Sequence, residues 1–207
     1  MLLETILAVF LAVGIAHCQT PPGFEPSTSH KLGVKFSKKV AVHLGNKLDK
    51  DDTQTIPHLK VKSLTDDAKN AYCLQTTIFS SHYMVFMIDL DVPQNDTTVP
   101  FLHWYQPDLN LDPKSGRLFL PKSSHLSNAE YYPPSPPPGP PHRYVELLFG
   151  QPPHYKLPSQ FEKYLDKKSS ARAGFDMKEF IKAANLKRPI AGNWFLVQKV
   201  EDENEEL

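Results

Sequence analysis

The chain has 207 residues with 23 basic and 23 acidic side chains, so its formal net charge is zero. This balance argues against nucleic acid or an anionic membrane surface as the partner. An apolar fraction of 40% is ordinary for a globular protein. Proline is unusually frequent at 20 residues, and two cysteines are too few for a disulfide scaffold or a cysteine-built zinc site.

The amino terminus begins with an apolar run over residues 5–16. The run is too short for a bilayer span, which needs about 20 residues, and its length is typical of a signal peptide. Small residues at Gly14 and Ala16 suit cleavage, so we expect residues 1–18 to be removed and the protein to be secreted without a transmembrane anchor. The alternative is an amphipathic or buried first helix, because no basic residue precedes the run.

Secretion has consequences for the rest of the chain. Residues 19–207 are expected to form one domain in which Cys73 is a buried free thiol. Asn95 opens the N-x-S/T sequon Asn-Asp-Thr, which predicts a glycosylated surface loop. The final residues, 201–207, are acidic and predict a solvated tail.

Short apolar runs bounded by proline, asparagine or glycine predict β-strands along most of the chain. These runs cover residues 83–88, 101–106, 143–149 and 194–200. The fold class is therefore expected to be mainly β, with short helices towards the carboxyl end.

Two helix starts can be read from capping patterns. Ser159 and Glu162 have the spacing of a capping box, and Asp176 with Glu179 forms its acidic analogue. Phe175 and Phe180 are placed as a hydrophobic staple around Asp176. Pro189 is expected to end the second helix.

A proline-rich segment separates two aromatic residues from the third predicted strand. Seven of the nine residues in 133–141 are proline. Such a segment can be a ligand for an SH3-type domain. Its place inside the domain favours a stiff wall at the rim of a pocket instead.

Polar side chains interrupt the apolar strands at three places. Asp89 and Asp91 alternate at the end of the first strand, His103 lies inside the second, and His142 opens the third. Buried carboxylates and histidines are costly unless they are paired, so a small cavity in which Asp orients His and the imidazoles face an anion is one solution. The alternatives are a metal site and a catalytic triad, but neither a metal-binding spacing nor a nucleophile motif accompanies these residues.

These residues also carry a resemblance to a known family. Asp89-Leu-Asp-Val-Pro93 resembles the D-P-D-A-P motif of the phosphatidylethanolamine-binding proteins, and Leu102-His-Trp104 resembles the L-H-W that follows it. Tyr132-Pro-Pro-Ser-Pro-Pro137 with His142-Arg-Tyr-Val145 is similar to the family's Y-x-G-P-x-P-P and H-R-Y signature. Pro189-Ile-Ala-Gly-Asn193 resembles its P-V-A-G-N-F motif.

The resemblance implies an antiparallel, sandwich-like β-fold with short peripheral and C-terminal helices and one small anion pocket. It implies a ligand such as phosphate, a carboxylate or a phospholipid head group, and neither a metal nor a cofactor. Carried over position by position, the pocket consists of Asp89, Asp91, Pro93, His103, Pro136, Pro137, His142 and Tyr144. We expect His142 to lie at the pocket rim, so that its replacement by alanine removes binding at little cost in stability.

Three functions are compatible with these features. The first is a secreted protein that binds a small anion or head group, which the lack of a nucleophile favours over an enzyme. The second is an accessory protein in natural-product biosynthesis, because secreted fungal members of the family occur in such gene clusters and assist reactions of anhydride-like intermediates. The third is a protein that inhibits a protease, with residues 19–30 as the segment that enters the partner's active site.

Overall fold

The computed structural model of the chain describes residues 18–61, 80, 82–122, 128–166 and 168–199. The expected signal peptide, Cys73 and the acidic tail lie outside these ranges, apart from Cys18, which is exposed. No helix in the described ranges is long and apolar enough to cross a bilayer. The strands are β1 (Gly33–Lys35), β2 (Asn46–Leu48), β3 (His58–Lys60), β4 (Tyr83–Gln94), β5 (Thr97–Leu111), β6 (Arg117–Phe119), β7 (His142–Gly150) and β8 (Ala191–Val197).

These strands form a curled, mixed eight-stranded sheet in the order β1-β3-β6-β5-β4-β7-β8-β2. The expected mainly β fold is thereby confirmed. The pairings are antiparallel except at one edge, where β2 runs parallel to β8. The first three predicted apolar runs lie in β4, β5 and β7, and the fourth, 194–200, overlaps β8 up to Val197. These four strands are adjacent in the sheet.

Both faces of the central strands are buried, as continuous apolar runs predict. On one face, Val85, Met87 and Tyr144 pack with residues of the outer strands and with Phe195. On the other face, Phe86 and its neighbours pack against the helices. Side-chain alternation along β4 and β7 therefore divides the core into two layers.

The α-helix α1 (Met177–Ala183) begins as the sequence predicts. The Asp176 side chain accepts hydrogen bonds from the backbone N–H groups of Lys178 and Glu179. The rings of Phe175 and Phe180 lie 5.7 Å apart between centroids, as expected for the staple. The helix ends before Pro189, because Asn185 adopts a positive φ of 50°, a left-handed conformation that terminates an α-helix.

The predicted capping box at Ser159 is wrong. Residues Ser159–Leu165 form a 3-10 helix whose N-cap is Pro158, and no side chain caps it. A proline at the cap position has no hydroxyl or carboxylate to offer the first N–H groups, and Ser159 is already inside the helix. Two further 3-10 helices cover Lys50–Thr53 and Ser169–Arg172.

Strands β4 and β5 continue past the sheet centre as a hairpin. Its two-residue turn is Asn95-Asp96, with φ values of 45° and 58°. Asn and Asp tolerate this left-handed conformation, which a type I′ hairpin turn requires. Asn95, the residue of the sequon, is exposed at the tip.

The segment of residues 19–30, which was expected to enter a partner's active site, packs against the rest of the domain. The backbone of His30 accepts a hydrogen bond from Gly192 of β8, and Leu32 donates one to the same glycine. Thr20 and Thr28 are buried, and Phe24 packs against the helix-side core.

Candidate functional site

A β-bulge brings the first histidine to the site. Met87 pairs with Trp104 and Ile88 pairs with Leu102, so His103 is the extra residue in β5. A bulge of this kind lets two successive side chains share one face of a sheet. His103 therefore lies on the same face as Trp104, where it meets β4 and β7.

Asp89 and His142 form the centre of the site. Asp89 is 2% exposed and His142 is 5% exposed. His142 Nδ1 lies 2.8 Å from Asp89 Oδ2. Because a carboxylate accepts and the imidazole N–H donates, this bond fixes the ring orientation and leaves Nε2 as the nitrogen that can meet a ligand.

His103 is held by the backbone before the proline-rich segment. Its Nδ1 lies 2.7 Å from the carbonyl oxygen of Tyr132, so Nδ1 carries the proton and Nε2 is the acceptor in the neutral ring. Burial lowers the pKa of His103 to about 4, and the positive charge of Arg172 acts in the same direction. Its Nε2 is 3.9 Å from Asp89 Oδ2, so both imidazoles approach the same oxygen.

Arg172 is a buried cation beside His103 that the sequence analysis did not single out. Its guanidinium donates to the carbonyl oxygens of His103, Glu130 and Asp166, at 3.3, 2.6 and 3.2 Å. The residue is 2% exposed. These bonds join the site strand, the segment before the proline-rich wall and the 3-10 helices, so Arg172 braces the site and adds positive charge to it.

Asp91 has a different partner from Asp89. Arg143 donates to it from Nε at 2.9 Å, from Nη2 at 2.6 Å and from its backbone N–H at 2.8 Å. Burial acts to raise the pKa of Asp91, but these bonds and the Arg143 charge outweigh it and lower the pKa. The pair is partly exposed, and the carboxylate that is hydrogen-bonded to His142 is that of Asp89.

Tyr144 and Glu146 follow His142 on the same face of β7. The Tyr144 ring stacks on Phe195 at 5.3 Å and meets His103 edge-on at 5.1 Å. The Tyr144 hydroxyl makes no hydrogen bond of normal geometry, and both carboxyl oxygens of Glu146 have no partner among the described residues. Burial raises the pKa of Glu146 to about 8, which keeps this carboxyl group mainly protonated at neutral pH.

The proline residues expected in the pocket differ in their placement. Pro136 is buried, whereas Pro137 is exposed. Pro93 is also exposed and pairs with Thr98 towards the hairpin tip. Tyr132, which begins the proline-rich segment, is 39% exposed, and its ring lies 5.8 Å from that of His103.

Within the described ranges, no group of three or more His, Cys, Asp or Glu side chains is arranged so that it could hold a metal ion. Asp89 and the two histidines contact one another in a way that orients hydrogen bonds. The arrangement is suited to binding the oxygens of a small acid, with Asp89 as the orienting group and the imidazoles as the ligand contacts.

The site residues lie within a region that matches a known family. The sequence pattern of the phosphatidylethanolamine-binding proteins matches residues 37–195. The chain belongs to this family. Among curated relatives, "Phomoidride biosynthesis cluster protein N" of Talaromyces stipitatus is 47% identical over 198 residues, which are 95% of this chain and 98% of that protein. A protein of the same name from Fungal sp. is 41% identical over 150 residues, 72% of this chain and 63% of that one.

Solved structures agree with the family fold. Carboxypeptidase Y inhibitor, crystallised with its cognate proteinase, superposes with a TM-score of 0.59 and is 22% identical; the match covers 84% of this chain and 85% of that one. The phosphatidylethanolamine-binding protein of Plasmodium vivax gives a TM-score of 0.51 at 17% identity, over 81% of this chain and 84% of that one. At these identities the likeness shows the fold alone.

Proposed function

We propose that this family member binds a small phosphate- or carboxylate-bearing molecule at Asp89, His103 and His142, and that it serves the biosynthesis of a natural product. The observation that carries the first part is the convergence of both imidazoles on one buried oxygen, Asp89 Oδ2, at 2.8 and 3.9 Å. Burying three polar side chains at one place is costly for folding, and a ligand-binding role accounts for that cost.

The biosynthetic role is supported by the two phomoidride-cluster relatives, which share 47% and 41% identity with this chain. A molecule with anhydride or dicarboxylate groups presents several acceptor oxygens to such a site. An imidazole whose other nitrogen is held by a carboxylate can donate a proton to these oxygens and stabilise their charge. We therefore place carboxylates beside phosphates in the ligand class, and we infer that binding is the primary activity.

His142 is buried and bonded to Asp89 Oδ2, so it does not lie at the exposed rim that the sequence suggested. Its replacement by alanine would leave Oδ2 without this donor, while Oδ1 still accepts from the backbone N–H of Asp91. Removing one partner of a buried pair costs several kcal/mol, about 3–5. His142→Asn is the better variant, because the asparagine amide can still donate to Asp89 while the Nε2 position is lost.

The experiment is a thermal-shift series with phosphate, phosphoethanolamine, monocarboxylates and dicarboxylates. A bound ligand raises the melting temperature by mass action. We expect a selective rise for wild type and for His43→Asn, which changes an exposed histidine as the control, and a loss of that rise in His142→Asn. Equal rises in all three proteins would show that the ligand binds elsewhere.

A further inference from the structure

The two histidines of the site present different hydrogen-bonding groups. His103 donates its Nδ1–H to the carbonyl oxygen of Tyr132 at 2.7 Å, so the neutral ring has an acceptor at Nε2. His142 donates its Nδ1–H to Asp89 at 2.8 Å. In its imidazolium form, His142 also offers Nε2–H to an anionic oxygen. When His142 carries a proton on both ring nitrogens, the site supplies one acceptor and one donor to the same ligand.

A second feature concerns the gap between His103 and Asp89. Nε2 of His103 and Oδ2 of Asp89 are 3.9 Å apart, which is too far for a hydrogen bond between them. In the neutral state of His103 both atoms are acceptors. Two acceptors that face each other are stabilised when a donor lies within reach of both. An O–H oxygen can stand about 2.8 Å from each of two atoms at this separation.

The surroundings keep His103 in the acceptor state. Arg172 places a buried positive charge beside the ring, and its Nη1 donates to the carbonyl oxygen of His103 itself. The charges of His142 on β7 and of Arg172, in the 3-10 helix Ser169–Arg172, disfavour a second proton on the His103 ring. Asp89 on β4 favours one. Burial outweighs Asp89 and lowers the pKa of His103 to about 4. Tyr132 and Tyr144 are the other titratable groups whose rings contact it.

On the basis of the proposed function, we propose that the site selects an acid that still carries a proton. One ligand oxygen donates its O–H to Nε2 of His103, and a second, anionic oxygen accepts from His142. Hydrogen phosphate, a phosphonate monoanion and a half-ionised dicarboxylic acid have both groups. Sulfate, a sulfonate and a fully ionised dicarboxylate lack the donor.

The test compares pairs of similar shape. Phosphate is set against sulfate, and methylphosphonate monoanion against methanesulfonate, which has the same charge but no O–H group. Calorimetric titration at pH 6.5 and constant ionic strength is expected to show binding of the protonated member of each pair. The other member should bind about 10 to 100 times more weakly, because it leaves a buried acceptor unpaired.

Each outcome separates this inference from the proposed function. Equal affinities for both members of each pair would overturn the proton requirement and leave anion binding in place. Binding of neither member would overturn the inference, and the carboxylates of the thermal-shift series then decide the proposed function separately. His103→Gln places an amide that can donate near the Nε2 position, so it should reduce the discrimination against sulfate. A readout that needs no variant is the ¹⁵N spectrum of wild type. It should show His103 protonated at Nδ1 alone, and a proton on Nε2 at pH 7 would refute the assignment.

Discussion

Glu146 offers a stability prediction whose size follows from its burial. The side chain is fully buried, and its two oxygens have no hydrogen-bond partner among the described residues. Burial raises its pKa from 4.5 to about 8. The unfolded chain ionises this group above pH 4.5, but the folded protein keeps it protonated until about pH 8. The stability that the neutral carboxyl contributes is therefore complete at low pH and is lost as pH rises through this window.

Glu146→Gln removes this pH dependence, because glutamine is neutral in both states and has nearly the same shape as the protonated acid. Each pH unit within the window costs wild type about 1.4 kcal/mol of unfolding free energy. By pH 7 the accumulated cost is about 3 kcal/mol. The variant should therefore be more stable than wild type by about that amount at pH 7, and nearly equal to it below pH 5.

The assay is urea-induced unfolding at pH 5, 6, 7 and 8, followed by tryptophan fluorescence. Glu162→Gln, at an exposed position of the 3-10 helix, is the matched control and should not change the pH profile. If Glu146→Gln is instead less stable than wild type at every pH, Glu146 is ionised and paired in the folded protein. That result would refute the reasoning from burial.

Two further stability predictions test the local structure. The pKa of His103 falls from 6.5 to about 4 on folding, so the unfolding free energy of wild type should decrease by up to about 3 kcal/mol as the pH falls from 6.5 to 4. Urea unfolding of His103→Asn should not show this decrease. An identical decrease in the variant would exclude His103 as its source. Asp176→Ala should cost about 1 kcal/mol because it removes the N-cap of α1. Ser159→Ala should cost little, since Ser159 caps no helix. Urea unfolding measures both variants, and equal losses of unfolding free energy would contradict the capping assignment.

Much of the fold could be predicted from the sequence because the central strands are buried on both faces. Continuous apolar runs located β4, β5, β7 and β8. The parallel edge strand β2 has only three residues, so its pairing depends on contacts that no local pattern encodes. The capping box at Ser159 was predicted wrongly because Pro158 occupies the N-cap position, so that Ser159 is the first residue inside the 3-10 helix.

The candidate site was only partly visible in the sequence. Asp89, His103 and His142 interrupt apolar strands, and that contrast singled them out. Glu146 points to the same face of β7 as His142, because side chains alternate between the two faces of a strand. This alternation could have identified Glu146 from the sequence. Arg172 could not be found this way, because it lies in a short 3-10 helix outside the strands. It reaches the site through backbone carbonyl groups, which carry no side-chain signature.

We propose that a small acid binds between Asp89, His103 and His142. Titrating phosphate and then a dicarboxylate into ¹⁵N-labelled protein, while following backbone and imidazole resonances by NMR, tests this most directly. We expect saturable chemical-shift changes centred on His103, His142 and the Tyr132 amide, and their loss in His142→Asn. Shifts confined to surface residues, or unchanged shifts in the variant, would contradict it.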